Sequence, residues 1–402
     1  MSQSFGDLGV SEGVRRALSA RGIPEPFAVQ VKVLPDALSG KDMLVKSRTG
    51  SGKTLGFAIP MVERLDARAP KRPAALVLTP TRELAQQVAG ELRSIATVRG
   101  LRVALAYGGT SVRAQAGATR NAHIVVATPG RLEDLVSRGS VSLAAVEILV
   151  LDEADHMLDM GFLPQVEKLV ARIPQKRQTM LFSATLEGDV GRIAAQYTRE
   201  PVMHELASPA PAAADVEHRF VPVAHPAKAA ALAELLRAPD STLVFVRTKR
   251  GADRLVKKLA SHGIGAAAMH GDKSQNARDA ALARFTRGRV AALVATDVAA
   301  RGIDVPDIAR VVNYDVPGDD KAFVHRVGRT GRAGARGVSI TFVSPEQQGD
   351  VGRMAARLNL AREFATGGFA RPEPSRPDGA HRTGGPPRRG RSGGRRRARR
   401  SG

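Results

Sequence analysis

Residues 43–54, MLVKSRTGSGKT, run a short apolar strand straight into a glycine-containing loop, and the rest of the chain is organised around them. Gly50 and Gly52 lack a Cβ, so the backbone there can turn and aim its N–H groups at phosphate oxygens. The Lys53 ammonium would reach the β- and γ-phosphates, and the Thr54 hydroxyl is placed to ligate Mg²⁺ at the positive end of the following helix. The implied ligand is a nucleoside triphosphate. The strict pattern G-x-x-x-x-G-K-[ST] has glycine where this chain has Ser47, and a Gly/Ser turn beside a solvated lysine is the competing reading. Other segments decide between them.

Composition narrows the choice. At 402 residues the chain exceeds one ordinary domain, and roughly 150 residues per domain suggests two or three. With 43% apolar residues, 4% aromatics and no tryptophan, the cores should be built from Val, Leu, Ile and Ala. The absence of cysteine excludes a disulfide scaffold, a thiolate metal site and a cysteine nucleophile, and it fits a reducing compartment. The N-terminal stretch MSQSFGDLGVSEGV lacks the basic start and apolar run of a signal peptide, and no long apolar stretch follows elsewhere. The expectation is a soluble, cytoplasmic, monomeric protein with no membrane partner. The net charge of +22 is concentrated at the end: residues 371–402 hold eleven arginines against Glu373 and Asp378, a net +9, which leaves +13 on the body. Without an amphipathic anchor helix, that charge favours nucleic acid over membrane.

Before the loop, residues 22–30, GIPEPFAVQ, carry two prolines that argue for a rigid extended piece rather than a helix. Gln30 could pair with an adenine edge through its amide, or be an ordinary surface amide. After Thr54, apolar runs at 74–78, 103–107, 124–127, 148–151 and 179–182 alternate with amphipathic segments. Such runs joined by helical crossovers imply a parallel sheet covered on both faces, with ligands at the carboxyl ends of the strands. The polar clusters fall there: PTRELA from Pro80, Gly108-Gly109, TPGR from Thr128, DEAD from Asp152 and SAT from Ser183. Asp152 ends a buried strand, where a carboxylate can help hold Mg²⁺, and Glu153 can take a proton from an attacking water. The pair could instead cap the next helix. Its position after a phosphate loop and several strand–helix units favours the Mg²⁺ reading.

Residues 207–216, ASPAPAAADV, read as an interdomain linker. A second series follows, with runs at 220–223, 243–246, 266–269, 292–295, 311–314 and 338–343 but no second phosphate loop, so the second domain would complete a site on the first. HRVGRTGR from His325 supplies Arg326, Arg329 and Arg332; an arginine against a γ-phosphate stabilises transition-state charge, while an exposed basic helix is the plainer alternative. Thr296-Asp297 and the RGID stretch holding Gly302 and Asp304 end another strand and could offer a ribose-binding carboxylate.

Taken together, these ordered motifs resemble the DEAD-box ATP-dependent RNA helicases of superfamily two, over roughly residues 5–345. The resemblance implies two tandem RecA-like α/β domains, each a parallel sheet flanked by helices, at 1–206 and 217–365, joined by the 207–216 linker and followed by a disordered Arg/Gly-rich basic tail at 366–402. It implies ATP and Mg²⁺ as cofactors, with Phe5, Gln30, Thr49, Gly50, Ser51, Gly52, Lys53, Thr54, Gly302 and Asp304 around the nucleotide and Thr54 and Asp152 at the metal. Phe5 lies seventeen residues before Gly22, where the family carries a stacking aromatic. Glu153, Lys53, Arg329 and Arg332 would be catalytic, and Asp155, Ser183, Thr185 and His325 would couple hydrolysis to strand separation.

By the same resemblance RNA, single-stranded or as a short duplex, would lie along Arg82, Gly109, Thr128, Arg131, Arg278 and Thr296, through contacts that do not read sequence. Phe27 stands where the family usually has a hydroxyl residue, and Ile23, Val29 and Ser47 also depart from it. A short core with a basic tail resembles the bacterial RhlE-type subgroup, linked to ribosome assembly, RNA decay and cold adaptation. An ATP-gated RNA clamp or annealing chaperone and a DNA-directed motor are the competing functions.

Overall fold

The computed structural model describes residues 3–47, 52–69, 73–205, 216–300, 308–331 and 336–370. Among the described residues, thirteen strands form two sheets. The first contains β1 (Met43–Lys46), β2 (Ala75–Leu78), β3 (Val103–Ala106), β4 (Ile124–Ala127), β5 (Ile148–Asp152), β6 (Gln178–Ser183) and β7 (Val202–Glu205) in the order β3-β4-β2-β5-β6-β1-β7. The second contains β8 (Val216–Pro222), β9 (Thr242–Phe245), β10 (Ala266–Met269), β11 (Ala292–Ala295), β12 (Arg310–Asn313) and β13 (Gly337–Val343) in the order β10-β11-β9-β12-β13-β8. Every pairing is parallel.

The period of two within each strand builds two cores per sheet. On one face of the first sheet Met43, Val45, Val77, Val150 and Phe182 pack with Phe57 and Ile59 of the Lys53–Arg64 helix. On the other, Leu44, Leu76, Leu149, Leu151 and Leu181 pack with Leu132, Leu135 and Ile193. Phe57 and Phe182 meet edge to face with centroids 5.2 Å apart, which fixes the helix after the phosphate loop beneath β6. The second sheet repeats the division, with Val244, Val294 and Val312 on one face and Leu243, Phe245, Leu293 and Val311 on the other.

Registers then align the chemistry. Lys46 sits opposite Ser183, Asp152 opposite Phe182, and the Ser47 N–H donates to the Ser183 carbonyl at 2.9 Å. The ends of β1, β5 and β6 therefore share one rim, at the carboxyl edge where parallel sheets bind ligands.

Three expectations need correction. The extended piece stops at Phe27, and Ala28–Leu38 is a helix. Pro24 and Pro26 lie before its N-cap and leave it intact, while Val29, Val33, Leu34 and Ala37 supply a buried stripe. Val216 opens β8 instead of closing the linker; residues 206–215 lie outside the described residues. The folded second domain also runs past 365. Phe369 is buried, stacked on Phe364 at 4.5 Å in a cluster with Phe220 and Val343, so the expected tail boundary at 366 is too early. Residues 371–402, the remainder of that tail, lie outside the described residues.

Candidate active site at the domain interface

β5 ends at Asp152, and the next residue, Glu153, has φ 52° and ψ 52°, a left-handed conformation that costs a non-glycine residue energy. That turn brings its carboxylate back towards the phosphate loop. Lys53, the first residue of its helix, lies 3.2 Å from Asp152 Oδ1 and 3.8 Å from Glu153 Oε1, and all three side chains are buried. Gly52 just before it has φ 84°, which a side chain would resist, and an added Cβ would crowd Phe27 and Gln30.

The electrostatics separate the two carboxylates. Burial pushes Asp152 up more than the nearby Lys53 pulls it down. Burial also acts on Glu153, but there Lys53, a hydrogen bond from His156 and the Arg329 charge outweigh it and hold the carboxyl well below the ordinary range. Burial opposes the Lys53 charge too, yet Asp152 and Glu153 keep its pKa raised. Among the described residues, neither Asp152 oxygen accepts a well-aligned hydrogen bond, although Lys53 is close. A fully buried carboxylate with unused lone pairs beside a half-buried Thr54 is a donor set suited to a hard divalent cation.

Gln30 is fully buried: its Oε1 accepts from the Phe27 N–H at 3.0 Å and its Nε2 donates to the Gly52 carbonyl at 2.9 Å. Its amide thus braces the Ala28–Leu38 helix against the phosphate loop. Phe5 is likewise packed into the core at 2% exposure, whereas Phe27, 55% exposed, sits over Gly52. Thr49, Gly50, Ser51, Gly302, Asp304 and Arg332 lie outside the described residues.

The second domain closes over this rim. The Asp320–Val327 helix, capped by Asp319 Oδ1 accepting from the Ala322 N–H at 2.7 Å, places His325 Nδ1 3.2 Å from His156 Nε2. Arg329 follows it, 3% exposed, and contributes to the low Glu153 pKa. Arg326 belongs to the framework: it forms a two-pronged ion pair with Asp297 at 2.6 and 2.8 Å, donates to Asn313 and to the Asp315 carbonyl, and lies over the Phe245 ring. Ser183 Oγ accepts from the Asp155 N–H at 3.3 Å and the Thr185 N–H at 3.4 Å, tying the SAT turn to the acidic segment.

A second contact joins the domains at the expected RNA face. Arg278 Nη2 lies 2.8 Å from Glu83 Oε2, an ion pair without the alignment of a hydrogen bond. Gln275 Nε2 donates to Glu83 Oε1 at 3.2 Å, and Arg82 donates to Gln275 Oε1 at 3.4 Å. Gly109, with φ 86°, lets the Arg82 guanidinium lie against the backbone where a Cβ would collide. Arg131 donates to Gln115 at 2.6 Å and to the Thr110 carbonyl, while Thr128 and Thr296 lie buried at their strand ends. Arg278 thus serves the interface as well as offering charge. Neither Glu83 nor His156 was singled out by the sequence; each sits inside a recognised motif or next to one, but its partner lies in the other domain.

A phosphate loop, a paired carboxylate rim and an arginine-bearing second sheet closing over both define a two-domain nucleoside-triphosphatase. Residues 27–193 match the DEAD/DEAH box helicase family and residues 227–334 the helicase conserved C-terminal domain; the chain belongs to this helicase family. The DEAD-box ATP-dependent RNA helicase CshA of Geobacillus kaustophilus is 41% identical over 351 residues, covering 87% of this chain and 75% of that protein. Saccharomyces cerevisiae Dbp5 bound to RNA and ADP BeF3 is 31% identical with a TM-score of 0.79, covering 90% of this chain and 94% of that one. A DEAD box protein from Methanococcus jannaschii is 36% identical with a TM-score of 0.52, covering 90% and 98%. Among the described residues no helix is long and apolar enough to cross a membrane.

Proposed function

We propose that the chain is an ATP-dependent RNA helicase that hydrolyses ATP when RNA closes its two domains, and that closure opens short duplexes locally. The observation carrying this reading is the buried Lys53–Asp152–Glu153 group, completed by Arg329 from the other domain. Lys53 would exchange its carboxylate partners for the β- and γ-phosphates. Thr54 and Asp152 would hold Mg²⁺, which supplies charge neutralisation at the phosphates when bound. Glu153, kept ionised by Lys53 and His156, accepts a proton from the attacking water, and Arg329 with Arg332 faces the developing charge.

The adenine would sit near Gln30 and Phe5, with Gly302 and Asp304 at the ribose. The RNA backbone would follow Arg82, Gly109, Thr128 and Arg131 on one domain and Arg278 and Thr296 on the other. Its partners are phosphate and 2′-hydroxyl groups, not base edges. The domain disposition supports the closed state, since the whole-chain similarity is high to Dbp5 held with RNA and a nucleotide analogue. We place the chain nearer CshA-type helicases than the RhlE type: the latter rested on core length and tail charge, the former on 351 aligned residues. Work on ribosomal or decaying RNA, or in the cold, as a cytoplasmic monomer, fits this reading.

Strand displacement of a short RNA duplex tests it, with Glu153→Gln as the comparison. The variant should bind ATP and RNA yet turn over on the order of 10²-fold or more slower. Near-normal turnover would remove the assigned base.

A further inference from the structure

His156 follows the DEAD segment directly and lies between Glu153 and the second domain. Its ring is 3% exposed. One nitrogen, Nδ1, is 2.8 Å from Glu153 Oε2; the other, Nε2, is 3.2 Å from His325 Nδ1, with the two rings edge to face at 4.6 Å. Proton placement follows from elementary valence. An ionised carboxylate only accepts, so His156 Nδ1 carries the hydrogen and donates it. The other nitrogen, Nε2, shares a single hydrogen with His325 Nδ1, and which ring donates depends on the tautomers of the two imidazoles. Burial and the adjacent His156 ring push the His325 pKa down to about 4, in keeping with a neutral ring there.

The result is a continuous chain of hydrogen bonds linking His325, His156 and Glu153, which crosses from the second domain to the first. Asp155, His156 and His325 also bring ligand-type atoms within 4.8 Å of one another, but the ring-to-ring hydrogen bond accounts for the short contact without a cation. Glu153 needs such support. Its backbone is in the strained left-handed region, and Lys53 is expected to move to the phosphates.

We propose that His156 is a positioning residue for the general base: it orients the Glu153 carboxylate and is itself oriented by His325 only when the two domains are closed. The proposal rests on reading Glu153 as the base. When the domains part, His156 loses its contact with His325 and the carboxylate loses its fixed direction. Water attack is then confined to the closed, RNA-bound state, and the two imidazoles suppress futile hydrolysis in the absence of RNA. The geometric logic is that of a metal-free carboxylate–histidine pair, in which the outer group sets the tautomer and orientation of the inner one.

Two isosteric replacements separate the two contacts. An Asn amide nitrogen falls near the imidazole Nδ1 position and can donate to Glu153; a Gln amide reaches the Nε2 position and can contact only His325. The experiment measures kcat and KM for ATP, with and without saturating RNA, in the full chain and in His156→Ala, His156→Asn, His156→Gln and Glu153→Gln. RNA affinity with a non-hydrolysable ATP analogue, together with thermal unfolding, monitors folding and closure. His156→Ala should lower RNA-stimulated kcat on the order of 10- to 100-fold with KM for ATP within about twofold. His156→Asn should restore part of the RNA-stimulated kcat lost in His156→Ala, and His156→Gln should remain as slow as the alanine variant. Adding His156→Ala to Glu153→Gln should cost nothing further.

An RNA-stimulated kcat in His156→Ala within twofold of the parent would overturn the proposal. So would a loss that adds in full to that of Glu153→Gln, or equal rescue by Asn and Gln. Near-normal turnover in Glu153→Gln itself would remove the base assignment and the proposal with it. A loss in Glu153→Gln without one in His156→Ala would remove the proposal alone.

Discussion

Replacing Arg278 with methionine should weaken RNA binding in the presence of a non-hydrolysable ATP analogue while leaving each domain folded. The ion pair with Glu83 is 2.8 Å long, with side chains 10% and 2% exposed, so in the closed state neither charge is solvated. Methionine keeps the apolar stem of the arginine but leaves Glu83 buried with only the Gln275 amide at 3.2 Å. Breaking a buried pair by removing one partner costs about 3 to 5 kcal/mol. In the open state Glu83 regains water, so the cost falls on closure rather than on folding. The remaining Gln275 contact and the nearby Arg82 reduce it to about 2 to 3 kcal/mol, which corresponds to about 30- to 150-fold in the closure equilibrium.

Fluorescence anisotropy of labelled single-stranded RNA at fixed salt, with and without the analogue, reads this directly. The loss should be largest with the analogue present. A double variant, Arg278→Met with Glu83→Leu, should recover most of it, because an apolar pair of similar volume replaces a buried ion pair at little cost. If Arg278 acted only as a phosphate contact, the double variant would stay as weak as the single one. A change below about threefold in Arg278→Met would refute the latch.

Two further outcomes follow from the same geometry. Phe182→Ala removes a fully buried ring packed edge to face on Phe57 and should lower the stability of the first domain by about 3 to 5 kcal/mol, read by chemical denaturation as an earlier first transition with the second unmoved. Closure should also weaken in acid. The His325 pKa is lowered to about 4 from an ordinary value of 6.5, so the open form binds the extra proton, and the contribution is present above about pH 6.5 and lost as pH falls towards 4. RNA affinity with the ATP analogue at pH 7.5 and 5.5 checks this, and the pH dependence should shrink in His325→Gln.

Much of the fold was written in local pattern. The runs at 124–127, 266–269 and 292–295 coincide with β4, β10 and β11, because continuous apolar β-branched and alanine stretches have few other ways to bury themselves. Edge strand β7, VMHE, escaped notice: only alternate residues are shielded, and a four-residue alternation is a weak signal. Phe369 was lost for a similar reason, since glycine-flanked aromatics read as a tail until Phe364 and Phe220 are brought against them.

The meeting of Lys53 with Asp152 and Glu153 was legible, because each lies in a motif carried by one segment at a strand end. It was not legible where a role depends on a partner far along the chain. Glu83 and Arg278 are 195 positions apart, and His156 and His325 are 169 apart. Nor could sequence tell that the Gln30 amide is engaged by Phe27 and Gly52, or that Arg326 belongs to the framework while Arg329 faces the carboxylates.

The central claim is that RNA closes two domains over ATP and so completes the hydrolytic site. Steady-state ATP hydrolysis by the full chain at fixed salt, alone, with single-stranded RNA and with DNA of matched length, tests it most directly. The account predicts a low basal rate, strong stimulation by RNA and little by DNA, because the contacts are to phosphates and 2′-hydroxyls. Equal stimulation by both would point to a DNA-directed motor, and stimulation by neither would contradict the account outright.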